Sequence, residues 1–274
     1  MQKLTFLFWN LYKKCLVPTL KDIIEHYDVD VVILAECTFR TEELIYVLND
    51  KKVMYFPENG LAKCKKIRII TKFHPMLLAP IYEEERFSIR KLILPNKESI
   101  LIVGVHIPDK SHDVADNQLM ICQRLRDSIE KMEKEHLIDK TLIVGDFNMN
   151  PFDQGLVSPI GLNAVMSERI AQTKSRIVNN KDYQYFYNPM WSFFGDIGNN
   201  VEGSYFYRKN ANLPWNVFDQ VLLRPSLIPN FDKDSLSFLN YTGKESILTN
   251  EMLYPDKVKY SDHLPLIFKL KLKE

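Results

Sequence analysis

Residues Thr141–Pro151 read "TLIVGDFNMNP": an apolar run that stops at Gly145 and is followed at once by Asp146, Phe147 and Asn148. A short, continuous apolar run is the pattern of a strand buried on both faces. A carboxylate at the tip of such a strand, with an amide just beyond it, places two polar groups where the chain leaves the core. Either residue alone is an ordinary turn former, since Asp after Gly initiates an Asx-turn and Asn tolerates left-handed backbone. As a pair they favour a functional reading over a turn.

The same event recurs along the chain. "LTFLFWN" ends at Asn10, "VVILAE" at Glu36 and "SILIVGVH" at His106; "VFDQVLL" carries Asp219, and "KYSDHLPL" sets Asp262 and His263 just ahead of the last apolar run. One polar residue at a strand end is where the chain meets water. Carboxylates, amides and imidazoles at so many strand ends read as one site, because ligands of layered α/β proteins sit at strand ends. Glu36 follows an apolar run and precedes Cys37, so it is expected to be half-buried and in need of a partner. Asp219 inside an apolar strand needs one too, and His263 is the natural candidate.

Between the β-rich runs come helical patterns. "PTLKDIIEHY" has Pro18 placed for a first turn, and from about Asp113 to His136 the residues Leu119, Cys122, Leu125, Ile129 and Met132 recur at spacings of three and four. Interleaved helices and strands predict an α/β layered architecture. The stretch Asn163–Asn212 is less regular, and its aromatic cluster "DYQYFYNPMWSFFGD" predicts long loops, with Tyr183, Tyr185, Phe186, Tyr187 and Trp191 either core or base-stacking.

At 274 residues, 46% hydrophobic and 26% charged, with no linker, repeat or charge block, the chain is expected to form one domain over residues 1–274. Thirty-six basic residues face 35 acidic ones, for a formal charge of +1, so any nucleic-acid surface must be a local patch; "KCKKIR" at Lys63–Arg68 is either such a patch or a solvated face. The four cysteines, Cys15, Cys37, Cys64 and Cys122, show no C-x-x-C spacing and indicate neither a zinc knuckle nor a disulfide framework. With no signal-peptide core and no long apolar run, the expectation is a cytoplasmic protein without a membrane span.

Carboxylates with amide oxygens suit a hard cation such as Mg²⁺ or Mn²⁺, and the histidines lack H-x-x-x-H spacing, which argues against zinc. Phosphate-ester cleavage needs a cation, a base for water, and donors for the developing charge. This residue set offers all three.

"FWN", "LAE", "GVH", "GDFNMNP", "FDQVLL" and "YSDHLPL", in that order over essentially the whole chain, resemble the endonuclease/exonuclease/phosphatase family, deoxyribonuclease I-like, in its small free-standing form. The resemblance implies a four-layer α/β/β/α sandwich: two mixed β-sheets flanked by helices. It assigns Glu36 to the metal with Asn10 and Asp262 near it, Asp146 and Asn148 to the attacking water, His263 held by Asp219 to the scissile phosphate, and His106 as a second phosphate-contacting histidine. His106 resembles the deoxyribonuclease I-like and sphingomyelinase-like members, whereas abasic-site endonucleases carry tyrosine there; Gln220 departs from the arginine of the inositol 5-phosphatases. The implied activity is a Mg²⁺- or Mn²⁺-dependent phosphodiesterase, a nuclease on DNA or RNA. The alternatives are a phosphatase or phospholipase-type hydrolase on a small or lipid phosphoester, and an inactive binding module that keeps the fold. His26, His74, His112 and His136 match no motif and are read as structural.

Overall fold

The computed structural model describes residues 3–49, 53–57, 60–109, 115–195, 201–209, 213–249 and 253–272. In chain order the elements of the first half are β1 (Lys3–Asn10), α1 (Val17–Tyr27), β2 (Val31–Ala35), α2 (Thr41–Leu48), β3 (Ile67–Thr71), β4 (Leu78–Glu84), β5 (Phe87–Ile93), β6 (Ser99–His106), α3 (Ala115–His136) and β7 (Thr141–Asp146). The second half carries α4 (Gln154–Val157), β8 (Ala164–Val165), α5 (Glu168–Ala171), β9 (Ser175–Val178), β10 (Lys181–Gln184), β11 (Phe186–Tyr187), β12 (Tyr205–Phe206), β13 (Trp215–Asn216), β14 (Asp219–Leu223), β15 (Phe231–Phe238) and β16 (Leu266–Lys271).

Two mixed sheets result. The first runs β15-β16-β1-β2-β3 and the second β4-β5-β6-β7-β14-β11-β8, while β9/β10 and β12/β13 are separate hairpins. The centre of each sheet is a parallel pair, β1 with β2 and β6 with β7, and these are the continuously apolar runs; their residues are buried on both faces. Leu20, Ile23 and Ile24 of α1 and Leu44 and Leu48 of α2 cover the first sheet. Cys122, Leu125, Ile129 and Met132 of α3 pack with Val103, Val105 and Ile143 on the outer face of the second. Between the sheets lies the main core, where a Cβ on Gly104 would stand 2.9 Å from Ile67 Cγ2 and 3.4 Å from Ile33 Cγ2. The order helix, sheet, sheet, helix is the four-layer sandwich.

The irregular stretch is more ordered than its sequence suggests. It contributes β8 and β11 to the sheet edge, the β9/β10 hairpin and a 3₁₀ helix over Pro189–Phe193, and Tyr185, Phe186 and Tyr187 are buried there as core. Short strands of two residues carry no periodicity, which is why composition alone misses them. Residues 196–200 and 210–212 of that stretch lie outside the described residues, as do His112 and Asp113.

Candidate active site

Register assembles the site. His106 of β6 pairs with Asp146 of β7, and Asp146 pairs with Asp219 of β14, so three of the residues picked from sequence share one rung at the sheet end. Side chains alternate along a strand, and these three have the parity of Ile102, Val144 and Val221 of the inter-sheet core. They therefore continue the buried face to its rim. In the first sheet, Asn10 ends β1 opposite Ala35 of the parallel β2, and Glu36 follows immediately.

Local backbone then aims the groups. Gly145 has φ +159° and a Cβ there would lie 2.0 Å from Val105 O, so the residue before Asp146 cannot carry a side chain without moving β6. Glu36 and Asn148 both take left-handed backbone, φ +50° and +49°. Asn tolerates this; for Glu it costs of order 1 kcal/mol and turns the carboxylate off the strand. The Ser261–His263 segment is tied to the end of β1: Trp9 Nε1 donates to His263 O (2.8 Å), Ser261 Oγ donates to Asn10 O (2.6 Å), and His263 N donates to Ser261 Oγ (3.1 Å).

The carboxylate of Asp146 is fully buried and held by amides. Asn10 Nδ2 donates to Oδ2 (2.9 Å), Asn148 N donates to Oδ1 (2.8 Å), and Asn148 Nδ2, which donates chiefly to Ile107 O (2.9 Å), also reaches Oδ2 (3.3 Å). His106 Nε2 stands 3.7 Å from both Asp146 Oδ2 and Glu36 Oε1, beyond hydrogen bonding. His263 Nδ1 donates to Asp219 Oδ2 at 2.7 Å, the length of a charge-assisted bond, and its Nε2 faces Asp146 Oδ2 at 3.9 Å. Ser204 Oγ fixes Asp219 from behind, accepting from Phe218 N and Asp219 N, both at 3.1 Å.

These environments push the titrating groups apart. Burial raises Asp146 to about 7 against the favourable His263 cation and the Asn10 and Asn148 donors. Burial opposes the charge on His263, yet Asp219 and Asp146 together outweigh it and hold the imidazole at about 10. Burial, with the His263, Arg86 and Lys66 cations, lowers His106 to about 4. At neutral pH one imidazole is thus a cation and the other is neutral. Asp262 is raised by burial, and its Oδ1 is buried with no hydrogen-bond partner.

Asn10, Glu36, His106, Asp146, Asn148, Asp262 and His263 line one open cavity of about 930 Å³, and Asp219 lies beneath His263. The structure also brings in residues that the sequence did not single out: Arg86, Lys13 and Lys209 on the wall, and Tyr205, whose ring lies 4.8 Å from that of His263. Arg86 sits in the β4–β5 turn and arrives through the bond from His106 N to Arg86 O (2.9 Å). No periodic signal marks either residue. The aromatics proposed for stacking lie elsewhere: Trp191 packs on Phe152 and Phe194, and Tyr183 lies beneath Arg126 and Lys181. Of the histidines read as structural, His26 packs on Tyr27 and Tyr241, and His74 on Phe56.

A hard cation fits the oxygen-bearing part of this set. Glu36 and Asp262 offer carboxylates to the cavity, no thiol lines it, and the unpartnered Asp262 Oδ1 is an acceptor that a cation would satisfy. Asn10 is the weaker donor, since its nitrogen serves Asp146 and its oxygen already accepts from Tyr12 N (3.0 Å). A second grouping, Asp146, Asp219 and His263, has ligand atoms within 4.8 Å of one another. There His263 Nδ1 already bonds Asp219 Oδ2 at 2.7 Å, with Asp219 Oδ1 left buried and unpartnered, and we read the grouping as a hydrogen-bonded pair.

No protein-family model matches the sequence, and no curated protein matches it. Solved structures do match, with the deoxyribonuclease I-like fold in common. An endonuclease/exonuclease/phosphatase family protein from Bacteroides thetaiotaomicron superposes with a TM-score of 0.58 at 11% identity, covering 98% of this chain and 95% of that one. TDP2 from D. rerio, in complex with a single-strand DNA product, gives 0.57 at 14%, covering 99% and 100%. ANGEL2, a 2',3'-cyclic phosphatase bound to adenosine-2',3'-vanadate, gives 0.58 at 14%, covering 98% and 95%.

Proposed function

We propose that the chain is a divalent-metal-dependent phosphodiesterase that cleaves nucleic acid by in-line attack of water. One observation carries the reading: a buried carboxylate clasped by two amides, Asp146, faces an imidazole that a second buried carboxylate, Asp219, keeps charged. Such a pair serves a reaction in which water loses a proton while negative charge grows on phosphate. The similarity of the fold to TDP2 and ANGEL2, whose bound molecules are a DNA product and an adenosine vanadate, supports the same class of chemistry.

Glu36 and Asp262, with Asn10 beside them, would hold a Mg²⁺ or Mn²⁺ ion, which would supply positive charge against the phosphate oxygens. Asp146 accepts the proton of the attacking water, and Asn148 keeps the carboxylate in place. A base that titrates near neutrality is strong enough to take that proton and still ionised in the working range. His263 donates from Nε2 to the phosphoryl oxygens, and Asp219 orients the ring through Nδ1. His106, neutral, contributes a single hydrogen bond. Arg86, Lys13 and Lys209 supply cations along the wall for flanking phosphates.

The test is purified protein with Mg²⁺ or Mn²⁺ against plasmid, single-stranded DNA, RNA and a panel of inositol, sphingolipid and nucleotide phosphoesters. Cleavage of a polynucleotide is expected. Hydrolysis of the small or lipid esters alone would replace this reading with the phosphatase or phospholipase one, and no turnover of any of them would point to a binding module.

A further inference from the structure

Beside the catalytic cavity lies a second pocket of about 330 Å³ that shares Tyr207, Lys209 and Asp262 with it. Strand alternation explains the partition: in β12, Tyr205 lines the catalytic cavity and the next residue, Phe206, lines the side pocket. The floor is preassembled. Phe206 stacks on Tyr254 with centroids 4.9 Å apart and planes 6° apart, and Trp215 of β13 meets Phe206 edge-on at 5.2 Å. Arg208, Lys209 and Lys257 stand around it, and among the described residues none of them forms an ion pair. Tyr207 lines both spaces and is 47% exposed.

We propose that this side pocket is a subsite for one unpaired nucleotide next to the scissile phosphate, its base against Tyr207 and its phosphates on Arg208, Lys209 and Lys257. The inference rests on the nuclease reading and narrows it to single-stranded substrates. The volume is at the small end of ligand sites, roughly 300–1,000 Å³, which suits one nucleotide and excludes a base pair with both strands. Aromatic faces beside cations bind single strands without sequence preference, because every base has a π-face and every nucleotide a phosphate. A base within a duplex would first have to leave its stack. Among the described residues that line the side pocket, Asp262 in the shared wall is the one acidic group.

Binding is measured by fluorescence anisotropy with metal chelated, so that nothing turns over, using a labelled single-stranded decamer and the same sequence as a blunt duplex. Tighter binding of the single strand is expected. Tyr207→Ala should weaken it roughly 5- to 100-fold, the worth of one stacked base, with Tyr207→Phe restoring it. Lys257→Ala should flatten the salt dependence of single-strand binding alone. Equal affinity for strand and duplex, or equal loss on both in Tyr207→Ala, overturns the subsite and leaves the nuclease reading standing. Preferential strand binding with no cleavage of any polynucleotide in Mg²⁺ or Mn²⁺ sinks the nuclease reading and keeps the subsite.

Discussion

Replacing Asp219 by Asn keeps the size and hydrogen-bonding oxygen of the residue and removes its charge, so it isolates what that charge does for His263. In the wild type the imidazole is held at about 10 because Asp219 and Asp146 outweigh burial. Without Asp219, burial is opposed by Asp146 and Asp262 alone, and the ring falls toward its ordinary value of ~6.5. At about pH 5.5 both forms then carry the cation to within about 10%, whereas near pH 8 the wild type keeps it almost fully and the variant in only ~3% of molecules. The ratio of wild-type to Asp219→Asn rates should climb from near parity to roughly 30-fold across that interval. Taking the ratio removes the ionisation of Asp146, as far as the two enzymes share it. The assay is initial rate on a single-stranded oligonucleotide at saturating metal, at closely spaced pH values. A ratio that stays flat with pH would refute the reasoning, because it would mean that Asp219 acts on structure and not on the charge of His263.

Asp146→Asn should lower turnover by roughly 10²- to 10⁴-fold with the fold intact by circular dichroism, since a positioned base is worth about that much; near-wild-type turnover would remove Asp146 from the proton path. Glu36→Ala should weaken Mg²⁺ or Mn²⁺ binding in calorimetry, and an unchanged affinity would put the cation elsewhere. Gly145→Ala drives a Cβ to within 2.0 Å of Val105 O, a backbone atom, and should cost upwards of ~1–3 kcal/mol in a denaturant titration. The raised values of Asp146 and His263 both favour the folded state most at low pH, that of Asp146 fading as pH rises through about 7 and that of His263 as it rises through about 10. Because the lowered His106 works the other way until about pH 6.5, the metal-free melting temperature should fall from about pH 6.5 to alkaline pH, and a rise there would show that these groups are not buried as drawn.

The sequence made the strand-end residues legible because the signal for them is a contrast: an apolar run long enough to be buried on both faces, broken by a group that burial penalises. Asn10, Glu36, His106, Asp146 and Asp219 all announce themselves in this way, and the structure sets them around one space. The rung that joins His106, Asp146 and Asp219 was not legible, because it depends on which strands are neighbours. Nor were Arg86 and Tyr205, which reach the site from a turn and a hairpin of two-residue strands, where neither periodicity nor burial distinguishes a wall residue from a solvated one. Gln220 is a different case. It departs from the arginine that a resemblance to the inositol 5-phosphatases would put there, and in the structure its amide donates to Met149 O (2.6 Å) and accepts from Asn188 Nδ2 (2.8 Å), bracing the turn that carries Asn148.

That brace bears on why the site tolerates so much buried charge. Asp146, Asp219 and His263 are each under a tenth exposed, and burying any one of them unpaired would cost several kcal/mol. The fold answers with Asn10 and Asn148 donating to Asp146 and with His263 Nδ1 on Asp219, while Ser204, Ser261 and Asn150 brace the backbone that carries these groups, accepting from Asp219 N, His263 N and Val217 N. Neutral amides stabilise an ion without neutralising it. Lysine or arginine in those places would pull Asp146 down and cost it the basicity that the reaction needs. Amides leave it a base, and the counter-charge that faces it, His263, is also the group that the proposed mechanism sets against phosphate.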